Sequence, residues 1–210
     1  MSQIFDFFLD AYRATPTYLI VLEAIAFVFG ILSVWYAKKA NIWVYPTGII
    51  CTVITVYLLY VSEYFGDMMM NFYYSVMSIY GWWNWSRKKD NKYVVPISRT
   101  NTKEKYIGVL FFVLTMIVTY SVYKAYNYDL QVPNYIDIVT SGIFFTAMWY
   151  MANKKLENWT LWIIADLITV PLYAYRGLGM LSLQYVVFTI LAIQGYIEWK
   201  KSLNKNLQTA

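Results

Sequence analysis

Asn158, Trp159, Trp162, Asp166, Thr169 and Tyr173 recur at the spacing of one helical face, within roughly 100° of each other at 3.6 residues per turn. Two indoles, an amide and a carboxylate on one stripe can hold a flat organic cation. The rings stack and offer cation-π attraction, the carboxylate supplies the counter-charge, and the amide reads a hydrogen-bonding edge. Leu161, Ile163, Ile164, Leu167 and Ile168 occupy the other faces, so such a helix can turn its back to lipid. Taken singly, Trp159 and Trp162 fit an interfacial aromatic belt equally well. Asp166 does not: at 1.5 Å per residue it lies about 10 Å deeper than Trp159, beyond the reach of a short side chain to the interface. A carboxylate at that depth is costly and must face protein, water or a cationic ligand.

A second stripe of similar width collects Asp67, Asn71, Tyr74, Ser75, Ser78, Trp82 and Trp85. Helix packing explains its small polar residues as well as ligand contact does. Asp67 also suits a helix N-terminus, and Asn158 suits an N-cap. Gln184 and Gln194 in the last apolar segment need partners if they lie in hydrocarbon, while Glu23 reads as a structural hydrogen bond between helices. Pro171 interrupts its helix and frees the carbonyl of Leu167, a break of the kind transporters use.

The elements that position these residues follow from composition. The chain has 210 residues, 60% hydrophobic and 14% charged, too few charges to wrap a soluble domain of this size, so it reads as a single membrane domain over 1–210. It contains no histidine and one cysteine, Cys51. That removes most hydrolase and metal-site readings and any disulfide framework, and no cofactor is called for. An intramembrane enzyme finds no G-x-S-x-G, H-E-x-x-H or phosphate loop to support it.

The spacing predicts seven transmembrane helices at about 17–36, 45–64, 68–85, 106–123, 135–152, 157–175 and 180–199. Glu63, Gly66 and Asp67 read as a tight turn, and 86–105 as a solvated loop with Pro96 and seven Lys or Arg. Fourteen of the 17 basic residues then fall on one side, against Arg13, Lys124 and Arg176 on the other. The positive-inside rule puts the N-terminus outside and the C-terminus in the cytoplasm, so the net charge of +5 is a topology signal and not a nucleic-acid footprint. Trp35, Lys38-Lys39, Asn41, Trp43, Tyr57, Gly81 and Trp85 are echoed by Trp149, Lys154-Lys155, Asn158, Trp159, Tyr173, Gly195 and Trp199. The expected layout is a 3+1+3 parallel repeat: units at 17–89 and 133–201, with a connecting helix at 104–124 that restores the orientation.

The runs N-I-W-V-Y-P-T-G at 41–48, G-W-W-N-W at 81–85, E-N-W-T-L-W at 157–162, Y-A-Y-R-G-L at 173–178 and G-Y-I-E-W-K at 195–200 together resemble the PnuC family of vitamin transporters. The resemblance covers nearly the whole chain. It implies a SWEET-like 3+1+3 arrangement, a bacterial inner membrane location, a homo-oligomer (a trimer), and uptake of nicotinamide riboside by facilitated diffusion with trapping by cytoplasmic phosphorylation. Thiamine is the substrate of some relatives. Matched by motif, the family's W-x-x-W falls on Trp159 and Trp162 and its adjacent Asn on Asn158. Asn71 stands where some nicotinamide riboside carriers have Gln, and Ser78 where an Asn precedes Tyr-Gly-Trp. The expected substrate-lining set is Asn158, Trp159, Trp162, Asp166 and Tyr173, with Asn71, Tyr74, Ser78 and Trp82 opposite and Gln184 and Gln194 beside them.

Overall fold

The computed structural model describes residues 15–62, 65–89, 92–93, 95–125, 130–175 and 179–208. Within them run seven helices: α1 Thr17–Lys38, α2 Val44–Val61, α3 Phe65–Ser86, α4 Thr102–Ala125, α5 Val132–Ala152, α6 Glu157–Tyr175 and α7 Gly179–Gln208. A short antiparallel hairpin, β1 Lys88–Lys89 and β2 Lys92–Tyr93, lies between α3 and α4.

Burial is inverted relative to a water-soluble bundle. Asn84, Thr140, Thr146, Asn158, Asp166 and Thr169 are buried, while Val28, Val53, Ile79, Leu110, Leu167 and Ile190 are exposed. Only a lipid solvent rewards apolar side chains pointing out and polar ones pointing in. The chain is an all-α integral membrane protein. Helices α1, α2 and α4 are long and apolar enough to cross a bilayer by composition alone. Helices α3, α5, α6 and α7 have 22, 21, 19 and 30 residues, and the polar groups that interrupt their apolar sequence include the inward-facing ones just named. Even 19 residues reach about 28 Å, close to the hydrocarbon thickness.

Helices α1, α2 and α3 pack in series, as do α5, α6 and α7. The two sets meet twice, α1 against α7 and α3 against α5, while α4 lies along α5. Close approach there uses glycine: a Cβ on Gly108 would sit 2.2 Å from the Tyr150 hydroxyl, and one on Gly142 would sit 2.7 Å from the Phe112 ring.

The α1–α2 and α5–α6 turns share one geometry. Ala40 and Lys154 are the two described non-glycine residues with positive φ, 50° and 51°. The Asn41 amide donates to the Tyr36 carbonyl and the Lys155 amide to that of Tyr150; Val44 donates to Asn41 and Asn158 to Lys155. Each pair is 114 positions apart, 40 with 154, 41 with 155, 44 with 158. In this register Tyr45, not Trp43, corresponds to Trp159, Asn41 corresponds to Lys155 and not to Asn158, and Lys38-Lys39 does not correspond to Lys154-Lys155. The sequence echo is therefore two residues out at that point, because tryptophans and lysines are frequent enough to align by chance.

Other expectations change as well. The segment 86–105 is not simply a solvated loop. Ser98 forms a parallel bridge with Lys155, its amide donating to the Lys154 carbonyl and its carbonyl accepting from Leu156. Helix α4 starts at Thr102, where Asn101 and Glu104 cap reciprocally: the Glu104 amide donates to Asn101 Oδ1 and the Asn101 amide to Glu104 Oε2, both at 2.9 Å. Gly66 and Asp67 belong to the first turn of α3 rather than to a tight turn. Pro171 leaves α6 continuous, and the Ser182 hydroxyl of α7 donates to the nearby Val170 carbonyl at 2.9 Å. Arg13, Glu63, Asp129 and Arg176 lie outside the described residues.

Candidate substrate-binding site

Helix α6 presents Trp162 and Asp166 one turn apart toward the interior. Trp162 is partly buried. Its ring lies 5.4 Å from that of Phe144 on α5 and 6.2 Å from that of Tyr74 on α3. The aromatic lining continues through α7, where Tyr185 lies 6.1 Å from Phe144, 5.3 Å from Tyr173 and 5.9 Å from Phe188. Asp166 is only 2% exposed and makes no hydrogen bond or ion pair among the described residues. A buried carboxylate left this way calls for a counter-charge from elsewhere.

Trp159 and Asn158 occupy a different level. Both are fully buried at the start of α6, close to the lysine-rich end of the bundle. The Trp159 indole fills the space left by Gly195, whose Cβ would stand 2.7 Å from it, and meets Trp199 edge-on at 5.5 Å. The Asn158 amide donates to the Lys155 carbonyl at 2.5 Å, closing the turn before the helix. Yet among the described residues Asn158 Oδ1 and Trp159 Nε1 are buried without a hydrogen-bond partner, as is the Tyr45 hydroxyl. Such groups are rare in folded proteins because each forfeits its hydration. They keep Asn158 and Trp159 available to a polar ligand or water.

The other expected residues divide. Tyr74 and Tyr173 join the aromatic lining. Ser78 is buried beside Gly48 of α2, and Asn71 is partly buried, its carbonyl accepting from Ser75. Gln184 is partly buried, its Nε2 3.5 Å from where a Gly30 Cβ would stand. Two are not brought in. Trp82 is 43% exposed on the outer flank of α3, and exposed Gln194 accepts a hydrogen bond from Lys38 at the lysine-rich end. The stripe on α3 is wide enough that its edge turns outward, and α7 is long enough that Gln194 lies below the interior.

Phe144, Tyr185 and Phe188 were not foreseen. Phenylalanine and tyrosine inside an apolar run read as lipid-facing or core, and no spacing rule separates those from a ligand-facing ring. At the lysine-rich end, burial pushes the Lys154 ammonium down from the ordinary lysine range, and it lies 4.4 Å from the Trp85 ring centroid.

A lipid-embedded bundle whose aromatic and polar groups converge on an interior carboxylate is the architecture of a membrane transporter for a small organic molecule. The chain belongs to the nicotinamide mononucleotide transporter family, whose sequence model matches residues 20–201. It is similar to the nicotinamide riboside transporter PnuC of Neisseria mucosa, 28% identical over 197 residues that cover 88% of this chain and 74% of the relative. It is also similar to the riboflavin/roseoflavin transporter RibM of Streptomyces davaonensis, 20% identical over 90% of this chain and 89% of the relative. The crystal structure of the vitamin B3 transporter PnuC matches with a TM-score of 0.70 at 25% identity, over 88% of this chain and 82% of that one. Membership in this family makes the chain a bacterial membrane transporter and not an enzyme.

Proposed function

We propose that the protein takes up nicotinamide riboside by facilitated diffusion, with trapping by phosphorylation once the substrate reaches the cytoplasm. The observation that carries this reading is Asp166, buried with no hydrogen bond or ion pair among the described residues, one turn from Trp162 and its aromatic neighbours Phe144 and Tyr74. A flat cationic heteroaromatic satisfies both features, its ring stacking while its charge answers the carboxylate. Thiamine has the same chemistry and is the second candidate. A flavin, suggested by the name of RibM, is planar but neutral and leaves Asp166 unanswered.

In this reading Trp162, Asp166, Tyr74 and Tyr173 line the ring site, with Asn71, Ser78 and Gln184 offering polar groups around it and Asn158 and Trp159 lying toward the lysine-rich end of the path. The lysine-rich end is cytoplasmic, from the 14 basic residues that gather there against three on the other side. The two helical sets form a 3+1+3 parallel repeat with α4 as connector, supported by the turns that match 114 positions apart. A trimeric assembly rests on the sequence resemblance alone. Exchange of labelled nicotinamide riboside and thiamine in liposomes tests the function: exchange without an imposed proton or sodium gradient is expected. Absence of exchange for both compounds, or a strict need for a gradient, overturns it.

A further inference from the structure

At the lysine-rich end four rings form an unbroken row across the seam between the two helical sets. Tyr45 of α2 meets Trp85 of α3 edge-on at 5.0 Å, Trp85 lies 6.0 Å from Trp199 of α7, and Trp199 meets Trp159 of α6 at 5.5 Å. All four are 2% exposed or less. The row repeats at the same 114-residue interval, 45 with 159 and 85 with 199, so its centre is the contact of two equivalent indoles. Gly81 and Gly195, also 114 apart, let Tyr45 and Trp159 lie against α3 and α7, where a Cβ would stand 2.4 Å and 2.7 Å from their rings.

The central indoles also tie the two sets together reciprocally. Trp85 Nε1 donates to the Ala152 carbonyl at the end of α5, at 3.2 Å, and Trp199 Nε1 to the Ala37 carbonyl at the end of α1, at 3.0 Å. Asn84 Nδ2 adds a bond to Ala152 at 2.9 Å, and Lys38 Nζ bonds Gln194 at 3.0 Å and pairs with Glu198 at 3.6 Å. Both carbonyls end their helices, and each already has another donor, the Ala40 amide at 2.9 Å for Ala37 and Asn84 Nδ2 for Ala152, so each indole adds a further bond and leaves no acceptor orphaned when it parts. Such bonds can be exchanged for water when the seam opens, at small net cost.

We infer that the Tyr45, Trp85, Trp199 and Trp159 row is the cytoplasmic gate of the transport path, held shut by the reciprocal indole bonds. This rests on the proposed function for its sidedness and for the ring site at Trp162. In this reading the path from the lysine-rich end to Phe144 runs between Trp85 and Trp199 and opens when they part. Opening moves one helical set against the other, breaks both indole bonds at once, and leaves the bonds inside each set intact.

Alkylation of a single cysteine tests the gate without any substrate, so its outcome is independent of whether nicotinamide riboside is carried. Phe144→Cys in a Cys51→Ser background is labelled with a membrane-impermeant maleimide, from the lysine-rich side in inverted vesicles and from the other side in right-side-out vesicles. Slow labelling from the lysine-rich side is expected. Trp85→Phe with Trp199→Phe keeps the rings and removes both N–H donors, which should speed that labelling about tenfold. Asn84→Ala, which leaves all four rings in place and removes one bond to Ala152, should move it in the same direction by a smaller factor. Labelling from the other side should not rise. Fast labelling of the parent from the lysine-rich side, no change in the double variant, or an equal rise from both sides overturns the gate.

Discussion

Trp162 on α6 and Phe144 on α5 face each other at 5.4 Å, tilted by 40°, with Tyr74 of α3 on another side of the indole at 6.2 Å. Three helices thus contribute one ring each to a single surface. Stacking and cation-π contacts are each worth on the order of 1 kcal/mol, so Trp162→Ala should weaken nicotinamide riboside binding roughly tenfold in folded protein. Trp162→Phe should retain part of the affinity. Tryptophan fluorescence titration reads both, and normal binding by the alanine variant places the site elsewhere.

Asp166→Asn separates charge from shape. The substitution keeps the volume and removes the counter-charge, so affinity for a cationic substrate should fall more than affinity for its neutral, reduced analogue. Calorimetric titration of the pair against each protein gives the two losses. Equal losses would make Asp166 structural.

Gly81→Ala and Gly195→Ala test the close packing at the lysine-rich end. Each new methyl would meet a ring, at 2.4 Å from Tyr45 or 2.7 Å from Trp159, and overpacking of this kind costs about 1–3 kcal/mol. Gly30→Ala meets its nearest atom, Cys51 Sγ, only at 3.2 Å. Thermal unfolding in detergent should therefore show larger losses for the first two than for the third, where the thiol need give only a few tenths of an ångström. A Gly195→Ala protein as stable as the parent contradicts the packing described.

Lys155 holds the segment before α4 onto the α5–α6 turn, pairing with Glu104 at 2.7 Å and donating to Ser98 Oγ at 3.0 Å. Lys155→Met should release residues 95–101 without unfolding the helices. Hydrogen exchange at the Ser98 and Leu156 amides, which bond across this contact, should accelerate several-fold, while unchanged protection would mean the backbone bridge suffices.

The sidedness is a separate prediction. Cysteines placed at 89 and 129 in a Cys51→Ser protein and labelled from outside intact cells should react at 129 only. Reaction at 89 sinks the orientation drawn from the basic residues.

The sequence by itself determined the solvent and the elements. Runs of apolar residues long enough to cross a bilayer, ended by lysines at 38, 154 and 200, specify seven helices because lipid offers the backbone no other hydrogen-bond partners. It also placed Trp162 and Asp166 on an inner stripe, since a carboxylate that far from the interface cannot face hydrocarbon. What it could not decide is which ring meets which. Trp82 and Trp85 share a stripe in sequence, but one is 43% exposed and the other 2%, because the seam between the helical sets passes on one side of α3. The membership of Phe144 and Tyr185 in the lining, the correspondence of Tyr45 with Trp159, and the reciprocal bonds of Trp85 and Trp199 depend on helices far apart in the chain. Helical periodicity fixes a residue's direction around its own axis. Only packing between helices fixes what stands opposite, and that was settled where glycines let the helices approach.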